Sequence, residues 1–292
     1  MKLRHLHLPG LTSYLRTSAI QEHLVRLQLD RKAAEPPLPA LDPVLLTFQT
    51  TPTYTTGRRE TLFTSPKQIT YLQANGKAEH QPALRGGATT FHGPGQVTAY
   101  LVLDLKAHGL GVESYVRLLE DSAMGTCAYY GLETFTTRNP GLWIGPRPRE
   151  RKLVSLGVHV RRYITSHGLG VNVNVDLWWF DRIVMCGLKG MRATNIEQEL
   201  EALQALGHLP TPNFYHPAHN GVRRTSSEPR KPVERLREFT FPLSLSEAAD
   251  VLADNLAKRL AGVNDKVKKV AEEDVWPGER LASAVDLTND AT

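Results

Sequence analysis

Cys186 and Lys152 are the two side chains of this sequence best suited to covalent chemistry. Cys186 lies in IVMCGLKG, just before a glycine-flanked turn, and Lys152 precedes LVSLGV, a predicted strand. A cysteine attacks as the thiolate, but a free thiol titrates at about 8.5. A lysine ammonium within ~4–6 Å would favour the thiolate, and the same lysine would carry protons if burial lowered its pKa. A cysteine–lysine pair is therefore one interpretation, but spacing alone does not establish it, and these residues taken by themselves favour a structural thiol at Cys186.

The segment RGGATTFHGPGQVTAY, from Arg85 to Tyr100, predicts a pocket wall. Its four glycines let the backbone turn sharply and approach a bound molecule. Between them stand a fixed-charge donor (Arg85), two hydroxyls (Thr89, Thr90) and an imidazole (His92). The apolar run VTAYLVLDL that follows is short and β-branched, which favours a buried strand. The wall is therefore expected to be anchored to a sheet.

The remaining candidates have less specific signals. Cys127 lies on a predicted helix among alanines and is expected to be a small buried residue. His92 and His167 each precede a glycine at a strand edge, where either a satisfied polar residue or a catalyst would fit. Neither has a cysteine or carboxylate at ligand spacing, so no metal site is predicted. The glycine segment matches neither GxxxxGK[ST] nor GxGxxG, which disfavours nucleotide pockets of those two kinds.

Composition and element order predict a single α/β domain with appended loops. The chain has 292 residues with 41% hydrophobic and 22% charged residues, and its two cysteines fit a reducing compartment. No apolar run approaches the ~20 residues of a membrane helix. The net charge of +5 is spread over short clusters and forms no dense stripe of the kind that binds nucleic acid. Predicted strands and helices alternate along the chain, whereas residues 60–83 are polar and are expected to form a loop.

Four segments are expected along the chain. Residues 1–206 form the catalytic core. Residues 207–240, rich in Pro, His, Ser and Arg, form a surface insertion. Residues 241–272 contain a helix packed on the core, with Ser244 and Glu247 at capping-box spacing. Residues 273–292 form a flexible tail.

The motifs together resemble the octanoyltransferases of lipoate synthesis. The likeness runs in order through PTYTTGRR, RGGATTFHGPGQVTAY, KLVSLGVHVRR, SHGLGVNVNVDL and MCG, within residues 3–194. Where that family commonly has proline before the nucleophilic cysteine, this chain has Met185. The resemblance implies an α/β fold with a mixed sheet flanked by helices, as in biotin and lipoate protein ligases.

The resemblance also implies a reaction and its partners. Cys186 would take an octanoyl group from octanoyl-acyl carrier protein as a thioester, and Lys152 would lower the cysteine's pKa and shuttle protons. The acceptor would be a lysine of a lipoyl domain in a 2-oxoacid dehydrogenase or of the glycine-cleavage H protein. No cofactor, nucleic acid or membrane is expected, and the enzyme is expected to be a monomer. The implied substrate-binding residues are Arg85, Gly86, Gly87, Ala88, Thr89, Thr90, Phe91, His92, Ser155, Leu156, Gly157, His167, Gly168, Leu169 and Gly170.

Two alternatives and one question of location accompany this interpretation. An ATP-dependent lipoate or biotin ligase on the same fold would use a pocket lysine but no cysteine nucleophile. A non-catalytic basic scaffold would bind nucleic acid or carrier proteins and would not depend on Cys186. The proline- and arginine-rich insertions favour a eukaryotic, mitochondrial enzyme. No separate Arg/Ser-rich leader precedes the predicted fold, so a bacterial-type cytoplasmic enzyme is the alternative.

Overall fold

The computed structural model describes residues 1–184, 187, 190–206 and 239–276, which form a mixed sheet flanked by helices. The helices of this part of the chain are α1 (Tyr14–Ala33), α2 (Pro66–Leu72), α3 (Val112–Tyr129), α4 (Ile196–Ala205) and α5 (Leu245–Arg259). The strands are β1 (Lys2–Thr12), β2 (Val44–Thr50), β3 (Thr53–Thr56), β4 (Glu79–Pro82), β5 (Thr90–His92), β6 (Gln96–Val102), β7 (Gly141–Ile144), β8 (Arg151–Arg161), β9 (Ile164–Asn172), β10 (Arg192–Ala193) and β11 (Asn264–Lys269).

The main sheet has the order β10-β8-β9-β6-β2-β1-β11, and β7 also pairs with β8. β1 runs parallel to β2 and β11, and β10 runs parallel to β8, whereas β6, β8 and β9 pair antiparallel. A second sheet has the order β4-β3-β5. The mixed α/β fold expected from the sequence is confirmed.

Helices cover both faces of the main sheet. On one face, Ile20 and Leu24 of α1 pack against Leu46 and Phe48 of β2. α1 begins at Ser13, whose side chain accepts a hydrogen bond from the Arg16 amide. On the other face, α3 and α5 pack together in the larger core. No helix of the described residues is long and apolar enough to cross a membrane.

The expected loop over residues 60–83 was wrong, because α2 and β4 lie within it. The Ser65 side chain accepts from the Gln68 amide while the Gln68 side chain accepts from the Ser65 amide, and Pro66 occupies the first turn. This capping box starts a helix of seven residues, in which only Leu72 is buried. A helix this short and exposed has too few apolar residues to show a helical period in the sequence.

At the C-terminal end, the helix expected within residues 241–272 is present as α5, and Ser244 caps it by accepting from the Glu247 amide. The chain then adds β11 parallel to β1 at one edge of the main sheet, a strand that the sequence analysis did not predict. Its sequence, NDKVKK, is almost wholly polar, so it gives no apolar alternation. Nearly all of the predicted insertion at 207–240 and of the predicted tail at 273–292 lies outside the described residues.

Candidate active site

A cavity of about 230 Å³ lies between the central strands and the glycine-rich segment. β8 and β9 pair antiparallel here, with Gly157 opposite Gly168 and Ser155 opposite Gly170. Most of the substrate-binding residues expected from the sequence border this one cavity. They are Arg85, Gly86, Gly87, Ala88, Thr89, Thr90, His92, Ser155, Leu156, Gly157, Gly168, Leu169 and Gly170.

Two glycines are needed where the wall approaches the strands. A Cβ on Gly157 would lie 3.1 Å from both Arg85 Cδ and the Gly86 carbonyl oxygen, tighter than ordinary van der Waals contact. A Cβ on Gly57 would lie 2.4 Å from the Gly87 oxygen. Backbone hydrogen bonds fix the same approach, from the Gly86 amide to Val158 and from the Arg58 amide to Arg85. The glycines therefore bring the Arg85–Gly87 backbone down onto β8.

Lys152 borders the same cavity and is only 6% exposed. Its Nζ donates to the Pro140 carbonyl oxygen at 3.0 Å and lies 5.1 Å from the centroid of the Trp143 ring. Glu120 of α3 braces this turn by accepting from the Gly141 amide at 2.9 Å. Burial raises the pKa of Glu120, and the Gly141 hydrogen bond and the Lys152 charge oppose that rise. The lysine is therefore held in a defined position at the cavity wall.

Described residues that follow Cys186 in the sequence lie near Lys152. On β8, Lys152 pairs with Trp143 of β7 on one side and with Ala193 of β10 on the other. Met191 directly precedes β10 and shares a second pocket with Asn139, which also borders the Lys152 cavity. Cys186 itself lies outside the described residues. The proposed pairing of its thiol with Lys152 stays a prediction.

Arg85 braces the wall through the hydrogen bonds of its guanidinium group. Its Nη1 donates to the Gly86 and Ala88 carbonyls at 3.1 and 2.9 Å, and its Nη2 donates to the carbonyl and hydroxyl oxygens of Thr55, both at 2.7 Å. Burial lowers the pKa of Arg85, and nearby Tyr100, Tyr14 and Glu60 partly offset this effect. The guanidinium ties the glycine segment to β3.

The two glycine-flanked histidines are buried and neutral. Burial, helped by the Arg85 charge, lowers the pKa of His92 to about 4, and the His92 ring lies 2.8 Å from Gln96 Oε1. The same two causes lower the pKa of His167 to about 3. His92 borders the cavity, but His167 and Phe91 do not. The His167 ring packs edge-on against Tyr100, and Phe91 stacks on Trp179 on the other side of the wall.

Cys127 is fully buried in the larger core, as expected. Burial raises the pKa of its thiol to about 12, so the thiolate is scarce at neutral pH. Within the described ranges, no group of three or more His, Cys, Asp or Glu side chains is arranged to hold a metal ion.

Several cavity residues were missed by the sequence analysis. Tyr100 belongs to the segment Arg85–Tyr100 already singled out. It lies two residues after Thr98 on β6, so the two side chains share one face of the strand, and this spacing was the available signal. Asn139 and Pro140 precede β7, and their proximity to Lys152 depends on the β7–β8 pairing. The complete missed set is Arg59, Tyr100, Val116, Asn139, Pro140 and Val158.

The chain is similar in sequence to proteins of one family. Residues 13–208 match the family model described as the lipoyl protein ligase A/B catalytic domain. A probable octanoyltransferase of Schizosaccharomyces pombe is 42% identical over 65% of this chain and 82% of that protein. The octanoyl-[acyl-carrier-protein]:protein N-octanoyltransferase of Homo sapiens, named as mitochondrial, is 38% identical over 66% of this chain and 82% of that protein.

Two solved structures share the fold at low sequence identity. The first is a putative lipoate protein ligase of T. acidophilum with bound lipoic acid. Its TM-score is 0.59 at 13% identity, with 94% of this chain and 93% of that chain covered. The second is a lipoate-protein ligase A bound with ATP. Its TM-score is also 0.59, at 12% identity, with 94% and 92% covered.

Proposed function

This chain belongs to the lipoyl protein ligase A/B catalytic domain family and is an octanoyltransferase of lipoate biosynthesis, and we propose that it works through a thioester on Cys186. The donor is octanoyl-acyl carrier protein. The acceptor is a lysine ε-amine of a lipoyl domain in a 2-oxoacid dehydrogenase or of the glycine-cleavage H protein. The observation that carries the proposal is the cavity itself, which has a buried lysine at its wall and room for an acyl chain between glycine-bearing strands.

In the first half-reaction, the Cys186 thiolate attacks the carbonyl carbon of the octanoyl thioester. A carbon–sulfur bond forms to Cys186, and the bond to the carrier's pantetheine sulfur breaks. The departing thiolate takes a proton from the Lys152 ammonium, which leaves the carrier as a thiol and Lys152 as a neutral amine. Splitting the transfer in this way lets two bulky protein substrates use one site in turn.

In the second half-reaction, the ε-amine of the acceptor lysine attacks the Cys186 thioester. An amide bond forms, the carbon–sulfur bond to Cys186 breaks, and the thiolate returns. The proton lost by the attacking nitrogen passes to the Lys152 amine, which restores the ammonium for the next cycle. The Pro140 carbonyl and the Trp143 ring support this role, because both contact the lysine amine and fix where it lies.

The cavity supports an acyl occupant. Leu156, Val158 and Leu169 supply apolar surface, and burying each methylene of the chain contributes about 0.8 kcal/mol. Gly157, Gly168 and Gly170 also border the cavity, and their lack of a Cβ lets Arg85, the Ala99 carbonyl and the Gln96 side chain pack closely around it. His92, held neutral by burial, adds no charge to this surface.

Intact mass spectrometry after mixing with octanoyl-acyl carrier protein, without ATP, tests the proposal. We expect one octanoyl mass gain in wild type and none in Cys186→Ala. Cys127→Ala is the matched control, because Cys127 is the other cysteine of the chain and its thiol is buried with a raised pKa. It should acylate like wild type. A gain that persists in Cys186→Ala contradicts the thioester, and an absolute requirement for ATP would favour a ligase.

The remaining proposals concern the cellular location and the oligomeric state of the enzyme. We place the enzyme in the mitochondrion, with support from relatives of Homo sapiens and Saccharomyces cerevisiae that are named as mitochondrial. A relative of Flavobacterium johnsoniae is named as an octanoyltransferase without a mitochondrial location, and a cytoplasmic enzyme is the alternative. The enzyme is proposed to act as a monomer without nucleic acid or membrane. Light scattering coupled to gel filtration measures the mass, and a dimer mass would contradict it.

A further inference from the structure

The loop between β3 and α2 exposes two large apolar side chains beside the cavity. Leu62 is 88% exposed and Phe63 is 80% exposed. Phe63 also borders a shallow surface depression together with Tyr71 and Val184, which are both about half exposed. Single exposed apolar residues are ordinary, but a contiguous apolar surface indicates an interaction site. We define the loop face as Leu62, Phe63, Tyr71 and Val184.

The backbone beneath the loop face is firmly held. The Glu60 and Thr61 amides donate to the Gly57 carbonyl, and the Phe63 and Thr64 amides donate to the Glu60 carbonyl. The capping box at Ser65 then begins α2. Because these local hydrogen bonds fix the turn, the exposed side chains of Leu62 and Phe63 extend from a well-ordered backbone.

The same loop is fastened to the cavity wall. The Glu60 carboxylate accepts from the amide and the hydroxyl of Thr89, at 2.7 and 2.8 Å. Thr89 borders both the cavity and the surface depression. Val184, on the far side of that depression, is two residues from Cys186 in the sequence. The loop face therefore lies beside the cavity wall at Thr89.

The charges around the loop face are mainly positive. Between residues 57 and 67 the chain carries three cations, Arg58, Arg59 and Lys67, all of them exposed. The single carboxylate of this stretch, Glu60, is engaged by Thr89. Across the depression, the Arg182 guanidinium lies 4.2 Å from the Tyr71 ring centroid and 5.0 Å from that of Trp178. These cations favour an anionic partner and disfavour an incoming ammonium.

We propose that the loop face, with Arg58 and Lys67 at its border, is the docking surface for the acyl carrier that donates the octanoyl group. This inference rests on the proposed function. The donor's pantetheine arm is attached through a phosphodiester, which is anionic where it meets the carrier. The acceptor instead offers a lysine ammonium. Of the two protein substrates, the donor therefore matches the charge of this surface, and its apolar surface would cover Leu62 and Phe63.

The test separates the two half-reactions. The variant Leu62→Ser/Phe63→Ser should lower the second-order rate of Cys186 acylation by octanoyl-carrier protein on the order of tenfold or more, as loss of a buried apolar anchor does. Acylation by octanoyl-pantetheine, which lacks carrier and phosphate, should change less than about twofold, since no docking is lost. Transfer from acylated enzyme to the lipoyl domain should also be unchanged. Leu15→Ser, at a 60% exposed leucine of α1, is the matched control.

A charge variant provides the second arm. Arg58→Glu/Lys67→Glu should slow acylation by octanoyl-carrier protein and weaken its dependence on salt, because screening then has less attraction to remove. Equal acylation rates for wild type and both variants overturn the docking proposal, as does a defect confined to transfer to the lipoyl domain. A defect that is equally large with octanoyl-pantetheine places the effect in the cavity and also overturns it. No octanoyl adduct in wild type with either donor would instead contradict the proposed function.

Discussion

The two ends of the cavity hold their cations in different ways. At the lysine end, Lys152 contacts the Pro140 carbonyl and the Trp143 ring, among other groups, at the junction of β7, β8 and β10. At the arginine end, Arg85 directs its Nη donors to protein oxygens of its own wall and β3. The ends are separated by five residues of β8, from Lys152 to Gly157, or about 17 Å at ~3.3 Å per residue. Both cations are buried, so burial alone does not distinguish a reactive group from a structural one.

The surroundings of each cation make that distinction. The arginine end also contains His92, which burial keeps neutral, and Tyr100, whose pKa burial raises well above its ordinary range. These groups neither gain nor lose protons at neutral pH, and they brace the wall. The lysine end adjoins β10, which follows Cys186 in the sequence, and we propose that proton transfer occurs there. The following predictions test this division of roles.

The largest effect is expected at the lysine end. Lys152→Ala should lower kcat for octanoyl transfer on the order of 10²–10⁴-fold, because a positioned proton carrier typically contributes that much. Lys152→Arg should also lose activity, since a guanidinium does not deprotonate in proteins. Single-turnover acylation with octanoyl-carrier protein measures the effect. Lys106→Ala, which removes a cation lying over the Tyr163 ring, should retain activity. Full activity in Lys152→Arg would contradict proton transfer by Lys152.

A smaller effect, on stability, is expected at the arginine end. Arg85→Lys cannot reproduce the fork of hydrogen bonds to Gly86, Ala88 and Thr55. We expect the free energy of unfolding in urea to fall by about 2–4 kcal/mol, because buried carbonyls lose their donors. Arg161→Lys, at an exposed pair with Glu22, should cost about 0.5 kcal/mol or less. Equal losses in the two variants would show that Arg85 does not brace the wall.

The two ends also differ in how far the sequence could predict them. The glycine-rich run located the arginine end, because glycine spacing shows where backbone packs against backbone. It did not show that Phe91 faces away from the cavity. Thr90, Phe91 and His92 form β5, and strand alternation places Phe91 on the opposite side from its neighbours. Applied to TFH, that rule would have removed Phe91 from the candidate set.

The lysine end depends on pairings that no local pattern encodes. Lys152 meets Pro140 because β7 and β8 pair antiparallel. β10 has only two residues, so it shows no alternation of apolar and polar residues from which a strand could be predicted. α2 and β11 were missed for a related reason, since both are short or polar. The mixed sheet was expected from the family resemblance, and the buried strands β2 and β6 also carry an apolar pattern that favours a sheet.

The smallest expected effect concerns pH. His92 has a folded-state pKa of about 4, below its unfolded value of 6.5, because burial disfavours the imidazolium. Between these values the unfolded chain binds a proton that the folded chain does not, so stability falls as the pH falls from 6.5 toward 4. One such group contributes at most about 1.4 kcal/mol per pH unit. Replacing it, in His92→Gln, should make the pH dependence of the unfolding free energy shallower over this window.

The matched control for this slope is His23→Gln on α1. The pKa of His23 is also lowered by burial, but its ring is only partly buried, so its replacement should change the slope less. Urea unfolding at intervals between pH 4.5 and pH 7 measures both slopes. The activity of wild type should show no titration from His92 between pH 6 and pH 8, because that residue stays neutral throughout. If the pH dependence of the unfolding free energy is unchanged in His92→Gln, burial does not keep His92 neutral in the folded protein. That result would contradict the proposed difference between the two ends of the cavity.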